Sequence, residues 1–545
     1  MTRTNFRIAA AALIGFYLAI ELAYVIRAPR VMDEFVDAFI VRQFETKLAY
    51  RDYAPPKTVL AFYIELPPLL LRDGWDAMTA VKIELALLNA LLLAAAAAVL
   101  ARRLDPRAVI ASLALMVVMT NYLERSAELR VDPVAALLGL ASLLCLISRR
   151  PVLAGIAAAA SFLSTQKAIY FVAAAAFALI ALCLRDRSRA RVRDLLSFAV
   201  AAGGTLAIYI ASWSAVSSLR GVVGSVFFNA NVASVALADF YDIRWKYWSQ
   251  TLVRNPFFYA LALAGLIIAA RRWLASKPDN LGDFIAPYSL TIVFLCIWHK
   301  QPWPYFFVFL VPTLFVLNTA TLDAFLARVR PRWAIVAFAI AFTLPGLLLP
   351  LSRIPHALAR DSGFQRAMFH AGDQLLGPGE TYVDGTSMLY RHEEALPVFE
   401  WLDAMGLQHL RKMPESELRN LVGSLPGNPP KLLLWNYRLA GLPPGLLAYF
   451  ATQYRPVYGN LFLYAPIVGG SQFTIHFDGG YRVEGTEASV DGVSVRTGAI
   501  IQLKRGLHSL AADRPLRLRL LPPAGIDVDP RYADPNDLFP NVYDF

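Results

Sequence analysis

Two adjacent carboxylates, Asp33 and Glu34, follow the first apolar segment of the chain. An acid at a membrane boundary is costly unless it is hydrated or paired, so this position suggests a functional site. Asp33 could accept the proton of a hydroxyl group as its oxygen attacks an anomeric carbon, with Glu34 as its neighbour. Alternatively, the two acids cap a helix that starts near Phe35, because Asp favours the N-cap and acids stabilise a helix N-terminus. The residue types alone fit both interpretations.

Basic side chains occur in several loops that we predict to lie on the same side of the membrane as Asp33. Fixed cations would stabilise the negative charge that develops on a phosphodiester leaving group, and Arg can bind two of its oxygens. Any single one of them could instead contact a lipid headgroup or balance a nearby acid. The candidate phosphate ligands are Arg51, Lys57, Arg130, His299 and Lys300, and the candidate substrate contacts are Tyr53, Lys167 and Tyr305.

Asp132 is a third candidate catalytic acid, two residues after Arg130 at the start of a predicted span. The two could form a local ion pair, which contributes little if it is exposed, or Asp132 could orient an acceptor or the Asp33 loop. The aromatic run 298–306 is typical of a membrane boundary and could also stack on a sugar or an isoprenoid. The loop 229–247 could cover the site as a lid.

Composition points to a polytopic membrane protein. The 545 residues are 57% hydrophobic and only 17% charged, with a mean hydropathy of +0.47, which is too apolar for a soluble protein of this length. The net charge of +11 comes from short Arg clusters between apolar runs, so it reports topology and not a nucleic-acid partner. The three cysteines lie in or beside apolar segments without metal-ligand spacing. We therefore expect no metal and no cofactor.

Eleven apolar segments could cross a bilayer as helices, which requires about 20 residues. If the N-terminus is cytoplasmic, every Arg cluster lies on the cytoplasmic side, and the loop 27–77 and the C-terminus lie outside. We therefore expect a multi-pass protein of a bacterial inner membrane with periplasmic C-terminal domains, and an interfacial helix over 58–71. The predicted spans are 8–26, 78–101, 107–123, 132–148, 152–166, 168–184, 195–216, 256–270, 283–298, 305–327 and 333–351.

The composition changes after Pro350, which predicts extramembrane domains. The predicted fold class is a polytopic α-helical membrane protein of about 11 transmembrane helices, followed by an α/β region and a small β-sandwich. The predicted domain boundaries are 1–355, 356–468 and 469–545, the last including an acidic tail.

Local patterns support the two C-terminal domains. Short runs at 381–384 and 431–435 predict strands, and 394–405 and 415–421 predict helices. From Ser471 the apolar residues alternate, with Asp-Gly turns at 478–480 and 491–492 that predict two hairpins. Leu516, Leu518 and Leu520 alternate with arginines in a last strand.

Four motifs, in this order, resemble those of GT-C glycosyltransferases of the protein-mannosyltransferase and lipid A aminoarabinose-transferase type. The resemblance covers about residues 8–350. The motifs are Asp33-Glu34 after the first span, Pro55-Pro56-Lys57, Arg130-x-Asp132, and His299 with Pro304, Tyr305 and Pro312 before and within a late span.

This resemblance implies an inverting transfer from a polyprenyl-phosphate sugar, with Asp33 as the base and Lys57 and His299 in contact with phosphate. The chain departs from the family pattern in two places. Val36 stands where the aminoarabinose transferases have Arg, and Lys57 follows the Pro pair instead of preceding it.

We therefore expect a membrane glycosyltransferase that transfers a sugar from a polyprenyl-phosphate donor to a hydroxyl of a cell-envelope lipid, glycan or protein. The expected partners are this donor, the acceptor and membrane lipids, with no nucleic acid. One alternative is a transporter or flippase of lipid-linked sugars, which should show inverted repeats and interrupted helices. Another is a cell-envelope assembly protein anchored by its helices, and a third is a ligase or polymerase that uses the same class of donor.

Overall fold

The computed structural model describes residues 1–72, 74–229, 244–274, 282–300, 302–329, 331–395, 402, 404–523, 526 and 538–539. The chain divides into two compact units. The helical unit comprises Met1–Ala28 and Ile40–Arg360, and the α/β unit comprises Pro29–Phe39 and the described residues from Asp361 onward. Most of the predicted lid at 229–247, most of the predicted helix 394–405 and most of the acidic tail lie outside the described residues.

Each predicted span coincides with a helix or a run of helices. Seven helices among the described residues are long and apolar enough to cross a membrane, and shorter apolar helices occupy the other four predicted spans. The helices are α1 Arg3–Arg27, α2 Met32–Gln43, α3 Leu60–Leu71, α4 Gly74–Leu100, α5 Pro106–Val117, α6 Thr120–Arg125, α7 Val131–Ile147, α8 Pro151–Ser164, α9 Ile169–Asp186, α10 Arg189–Ser214, α11 Leu219–Val223, α12 Arg244–Arg254, α13 Pro256–Leu274, α14 Gly282–Trp298, α15 Phe307–Arg328, α16 Arg332–Phe338, α17 Leu344–Leu351 and α18 Ile354–Leu358.

The helix observed at the predicted span 107–123 is shorter than the prediction. Helix α5 ends at Val117, and the extended backbone of Met119 starts the separate short helix α6. Polar side chains of α6 are buried in the helical unit, including Thr120, Asn121 and Glu124. The burial of these side chains among other helices explains why Thr120–Arg125 forms a separate helix and does not continue α5.

Helices α7, α9 and α15 pack together through a glycine and two stacked aromatic rings. The Cα of Gly139 in α7 lies so close to the Phe171 ring of α9 that a Cβ there would stand 2.4 Å from it. On its other side, the Phe171 ring stacks on Phe309 of α15, with centroids 5.4 Å apart. A small residue at such a crossing lets membrane helices approach closely. The first turns of these three helices, or the turns before them, carry candidate site residues.

The α/β unit contains a mixed sheet with strand order β1-β2-β4-β3, where β1 and β2 are parallel. The predicted strands 381–384 and 431–435 and the predicted helix 415–421 are confirmed. The elements are β1 Tyr382–Val383, β2 Leu432–Leu434, β3 Tyr454–Tyr458, β4 Leu461–Tyr464, α19 Gly363–Leu375, α20 Ala404–Lys412, α21 Glu415–Ser424, α22 Tyr437–Ala440 and α23 Pro444–Gln453.

Two further four-stranded sheets follow, in the orders β10-β7-β12-β5 and β6-β11-β8-β9. They agree with the expected small, β-rich C-terminal domain. Their strands are β5 Ile467–Val468, β6 Gln472–Ile475, β7 Gly479–Glu484, β8 Ala488–Val490, β9 Val493–Val495, β10 Ile500–Leu503, β11 Gly506–Ala511 and β12 Leu516–Leu520.

Only one of the two predicted hairpins forms. Strands β8 and β9 pair across Asp491 and Gly492, which both have positive φ, as a two-residue hairpin turn requires. The hairpin predicted at 478–480 was wrong, because β6 pairs with β11 whereas β7 pairs with β10 and β12 in the other sheet. A local turn sequence bends the chain, but the burial of apolar faces decides which strands pair.

An acid pair lies beside β1, formed by the buried Asp384 and the half-buried Glu394. Asp384 accepts hydrogen bonds from the backbone N–H groups of Thr386 and Met388, at 2.6 and 2.9 Å. Burial raises the pKa of Glu394 well above its ordinary value, and the charge of Asp384 raises it further. Of the two acids, Glu394 therefore holds a proton more readily, and its protonated form can donate a hydrogen bond to Asp384.

We expect Gly139→Ala to destabilise the chain by about 1–3 kcal/mol, because the new methyl group overpacks against the Phe171 ring. Gly203→Ala is the control, since nothing lies within 4 Å of a Cβ built at this exposed helical position. It should be neutral or stabilising by up to about 1 kcal/mol. Thermal unfolding in detergent measures both, and equal effects would contradict the packing argument.

We expect Glu394→Gln to weaken the pH dependence of stability. A carboxyl group with a raised folded-state pKa stabilises the fold at acid pH, and this contribution is lost as the pH rises through that pKa. Gln keeps an N–H donor but does not titrate. The measurement is the change in melting temperature from about pH 5 to about pH 9. Replacement of the exposed neighbour Glu393 by Gln should leave this change unaltered, and an unaltered change in Glu394→Gln would refute the assignment.

Candidate active site

Arg130 and Asp132 form a buried ion pair at the start of α7. Arg130 is the N-cap in extended conformation, and Asp132 lies in the first helical turn, where the helix dipole favours an acid. The exposed fractions of the two side chains are only 2% and 0%. The Arg130 Nη2 and Nε atoms lie 3.2 and 3.3 Å from Asp132 Oδ2. The local ion pair that the sequence suggested is therefore present, and it is buried instead of exposed.

The second carboxylate oxygen of Asp132 faces another cation. Lys167 Nζ lies 3.7 Å from Oδ1, and this oxygen accepts no hydrogen bond within the described part of the chain. Lys57 also acts electrostatically on Asp132. Two cations thus contact one carboxylate and a third acts on it from further away. Arg and Lys side chains gathered in this way can bind an anionic ligand.

Tyr305 supports these cations with its ring. The Arg130 guanidinium carbon lies 3.6 Å from the ring centroid, and Lys167 Nζ lies 5.0 Å from it. Tyr305 belongs to the short 3-10 turn Pro304–Phe306 that leads into α15. A guanidinium stacked on an aromatic face keeps its edge available for oxygen ligands.

Lys57 lies in a loop that is held at both ends. The Ser225 hydroxyl donates a hydrogen bond to the Pro55 carbonyl at 3.0 Å, and the Thr58 hydroxyl donates one to the Phe162 carbonyl at 3.1 Å. The Lys57 ammonium group lies 6.0 Å from the centroid of the Phe62 ring. The order Pro-Pro-Lys therefore still places this lysine within electrostatic range of Asp132.

His299 is fixed by neighbouring aromatic side chains. Its Nδ1 lies 3.1 Å from the hydroxyl oxygen of Tyr170. Its ring stacks on Phe306 at 4.2 Å with the two planes only 3° apart. Since Phe306 follows Tyr305 directly, the imidazole lies next to the turn that carries the Tyr305 ring.

Arg51, Tyr53 and Lys300 are not part of this cluster among the described residues. Arg51 is exposed, and its guanidinium donates two hydrogen bonds of 2.9 Å to Asp52. These bonds lower the pKa of Asp52 to about 2. Tyr53 packs against Phe44, and Lys300 is exposed. The assignment of Arg51 as a phosphate ligand is thus weakened by its pairing with the neighbouring acid.

Asp33 and Glu34 lie in the first turn of α2 and belong to the α/β unit, whereas the other candidate residues belong to the helical unit. Glu34 is buried, and its Oε2 accepts a hydrogen bond from the Val31 N–H at 2.9 Å. Asp33 is half-buried. Glu34 therefore plays the capping role that the sequence offered for the pair, while its neighbour Asp33 is partly accessible.

Sequence reasoning missed three polar groups of the helical unit. Tyr170, which contacts His299, looked like an ordinary residue of an apolar span. Glu21 of α1 and Lys82 of α4 are buried, with exposed fractions of 1% and 2%. A charged residue inside a predicted span is itself a signal of function or pairing, and it could have identified the last two. Among the described residues, no group of three His, Cys, Asp or Glu side chains could hold a metal ion.

The fold is similar to that of two kinds of solved membrane enzyme. ArnT from Cupriavidus metallidurans bound to undecaprenyl phosphate has a TM-score of 0.56 and 14% identity, over 85% of this chain and 98% of that one. The oligosaccharyltransferase AglB from Archaeoglobus fulgidus, solved with an inhibitory peptide and a dolichol-phosphate, has a TM-score of 0.53 and 12% identity, over 90% and 74%.

No protein-family model and no curated protein matches the sequence. At this level of identity the two solved structures confirm the GT-C-like fold that the sequence motifs implied. They leave the reaction of this chain to be argued from its own residues.

We expect Tyr305→Leu to destabilise the chain by about 1–2 kcal/mol, because it removes the ring face under Arg130 and Lys167. Tyr305→Phe keeps that face and should retain most of the stability. Thermal unfolding in detergent compares the two variants. If the Leu and Phe variants melted at the same temperature, the ring would not support the cations.

Proposed function

We propose that the chain is a membrane glycosyltransferase that takes its sugar from a polyprenyl-phosphate donor. The observation that carries this proposal is the buried Asp132 with Arg130, Lys167 and Lys57 around it. These cations occur in a fold shared with enzymes whose solved structures contain undecaprenyl phosphate or a dolichol-phosphate. A phosphate group is the anion that such a set of Arg and Lys side chains suits best.

In the proposed reaction, an acceptor hydroxyl attacks the anomeric carbon and the bond from that carbon to the phosphate oxygen breaks. The phosphodiester leaves as a polyprenyl phosphate monoester with one additional negative charge. The cations stabilise this charge as it develops. One displacement at the anomeric carbon inverts its configuration. Because the cations of the chain supply the positive charge, the proposed step needs no divalent metal.

Asp33 is the proposed base, and Asp132 is proposed to orient the cations. A carboxylate in contact with several cations is a weak proton acceptor, because its charged form is strongly stabilised. The ion pair with Arg130 and the proximity of Lys167 make Asp132 a poor base for this reason. Asp33 is half-buried in the first turn of α2. His299 is proposed as a further phosphate contact.

The proposed acceptor is a hydroxyl group of a cell-envelope lipid, glycan or protein. We propose a cytoplasmic N-terminus in a bacterial inner membrane, with the site and the C-terminal sheets on the periplasmic side. A lipid-linked donor fits this side of the membrane, since nucleotide sugars are not available there.

We expect Asp33→Asn to lower turnover by about a hundred- to ten-thousand-fold, the range that a general base contributes. The purified full chain would be assayed with an undecaprenyl-phosphate-linked sugar, with donor binding measured in parallel to show that the variant folds.

Asp361→Asn is the control, because this acid is exposed in the same α/β unit. Near wild-type turnover in Asp33→Asn would contradict the assignment of Asp33 as the base. Movement of the intact donor across a bilayer without sugar transfer would favour the flippase alternative.

A further inference from the structure

Ser225 joins two loops of the candidate site that are far apart in the sequence. Its hydroxyl group donates a hydrogen bond of 3.0 Å to the carbonyl of Pro55, two residues before Lys57. Its own carbonyl accepts a hydrogen bond of 3.3 Å from the side-chain amide of Gln166, which directly precedes Lys167. One residue is therefore bonded both to the Lys57 loop and to the turn that carries Lys167.

The chain around Ser225 is fixed by burial. Ser225 and its neighbour Val226 are only 2% and 1% exposed, and both lie in the wide π-helical turn Gly224–Asn229 that follows α11. The Phe227 ring of this turn packs against the Phe162 ring of α8, with centroids 6.0 Å apart. A π-helical turn is rare and often occurs at a functional site. Ser225 is thus a fixed point against which both loops are held.

The Lys57 loop depends on such an anchor because of its sequence. Pro55 and Pro56 have no backbone N–H group to donate, and their rings hold φ at about −65°. The segment is therefore stiff but poor in backbone donors. The bond to the Pro55 carbonyl holds one end of it, and the Thr58 hydroxyl, which donates to the Phe162 carbonyl at 3.1 Å, holds the other. The backbone of Lys57 lies between these two anchors.

The Lys167 turn is held from one side by the same residue. It comprises Gln166–Ala168, with the lysine in the middle position. The Lys167 ammonium group extends from this turn to within 3.7 Å of Asp132 Oδ1. Because Gln166 is adjacent to the lysine, its bond to the Ser225 carbonyl restrains the backbone from which the Lys167 side chain extends.

We propose that Ser225 is a positioning residue that sets the relative positions of Lys57 and Lys167. This inference rests on the proposed function, in which both lysines stabilise the phosphate group of the donor. A lysine side chain has several rotatable bonds and loses conformational freedom when it binds an anion. Holding both backbones in place reduces the further loss that accompanies binding. Ser225 acts through the two lysines and does not itself bind the phosphate.

The test measures the affinity of the purified full chain in detergent for undecaprenyl phosphate by native mass spectrometry. We expect Ser225→Ala to weaken this binding about three- to tenfold, because the Pro55 carbonyl loses its hydrogen bond and the Lys57 loop loses an anchor. The melting temperature, measured in parallel, shows whether the variant is folded. A folded Ser225→Ala variant with wild-type affinity would overturn the proposal.

Gln166→Met removes the other hydrogen bond of Ser225 and keeps the length of the side chain. It should weaken binding of undecaprenyl phosphate over the same range, about three- to tenfold. Gln166 is half-buried, so this variant tests the link between the two loops even if Ser225→Ala does not fold.

Ser217→Ala is the matched control. The Ser217 hydroxyl also donates to a backbone carbonyl, that of Trp213 at 2.8 Å, but this carbonyl lies four residues earlier in the same segment. The control should bind undecaprenyl phosphate as tightly as the wild-type chain does. An equal loss of affinity in Ser217→Ala would count against a specific role of Ser225.

A double-mutant cycle separates positioning from a general loss of structure. If Ser225 acts through Lys57, Ser225→Ala should weaken binding much less in a Lys57→Gln background than in the wild-type chain. Gln166→Met should likewise have little effect in a Lys167→Gln background. Effects that are as large in these backgrounds as in the wild-type chain would overturn the positioning role.

The single lysine variants distinguish this inference from the proposed function. If Lys57→Gln and Lys167→Gln weaken binding of undecaprenyl phosphate whereas Ser225→Ala and Gln166→Met do not, the proposed function stands and the positioning role is overturned. If neither lysine variant weakens binding, the lysines do not hold the phosphate, and the proposed site is refuted together with the role of Ser225.

Discussion

A carboxylate buried at the start of an apolar helix stays charged only where cations meet it. Asp132 satisfies this condition with Arg130 from its own helix cap, Lys167 from the turn before α9 and Lys57 from a loop. Tyr305, from the turn before α15, lies under two of these cations. The surroundings of one buried acid are therefore built by four separate segments. The packing of the helical unit has to bring these segments together.

Uncharged side chains next to the charges supply part of that packing. Gly139 of α7, Phe171 in the first turn of α9 and Phe309 in the first turn of α15 pack against one another. Phe309 also stacks on Phe306, which stacks on His299. A close crossing of small and aromatic residues needs no charge to hold it, so it can support the polar side chains beside it.

Much of this could be predicted from the sequence. Hydropathy located the apolar helices, and motif order selected Asp132, Lys57 and Tyr305 as candidates, which the structure brings close together. Both signals are local in the sequence. The ends of α5 and the strand partners of β6 and β7 could not be predicted, because they depend on which distant surfaces bury them. Arg51 stays a predicted phosphate ligand, but its guanidinium pairs with the neighbouring acid Asp52, a pairing that the adjacent positions in the sequence already suggested. Tyr170 gave no signal, since a tyrosine in an apolar span looks like any other aromatic residue.

The α/β unit is discontinuous along the chain. Its short N-terminal segment is held by reciprocal hydrogen bonds between the Arg30 backbone and the Gln365 side chain, 335 residues apart, and by the stacking of Phe35 on Phe369. During synthesis, this segment emerges long before its partners exist. The helix turn that carries Asp33 thus acquires its native surroundings only after the residues from Asp361 onward have been synthesised and have folded against it. A ribosome that stalls before residue 365 would release a chain with every site residue present but with Asp33 left unsupported.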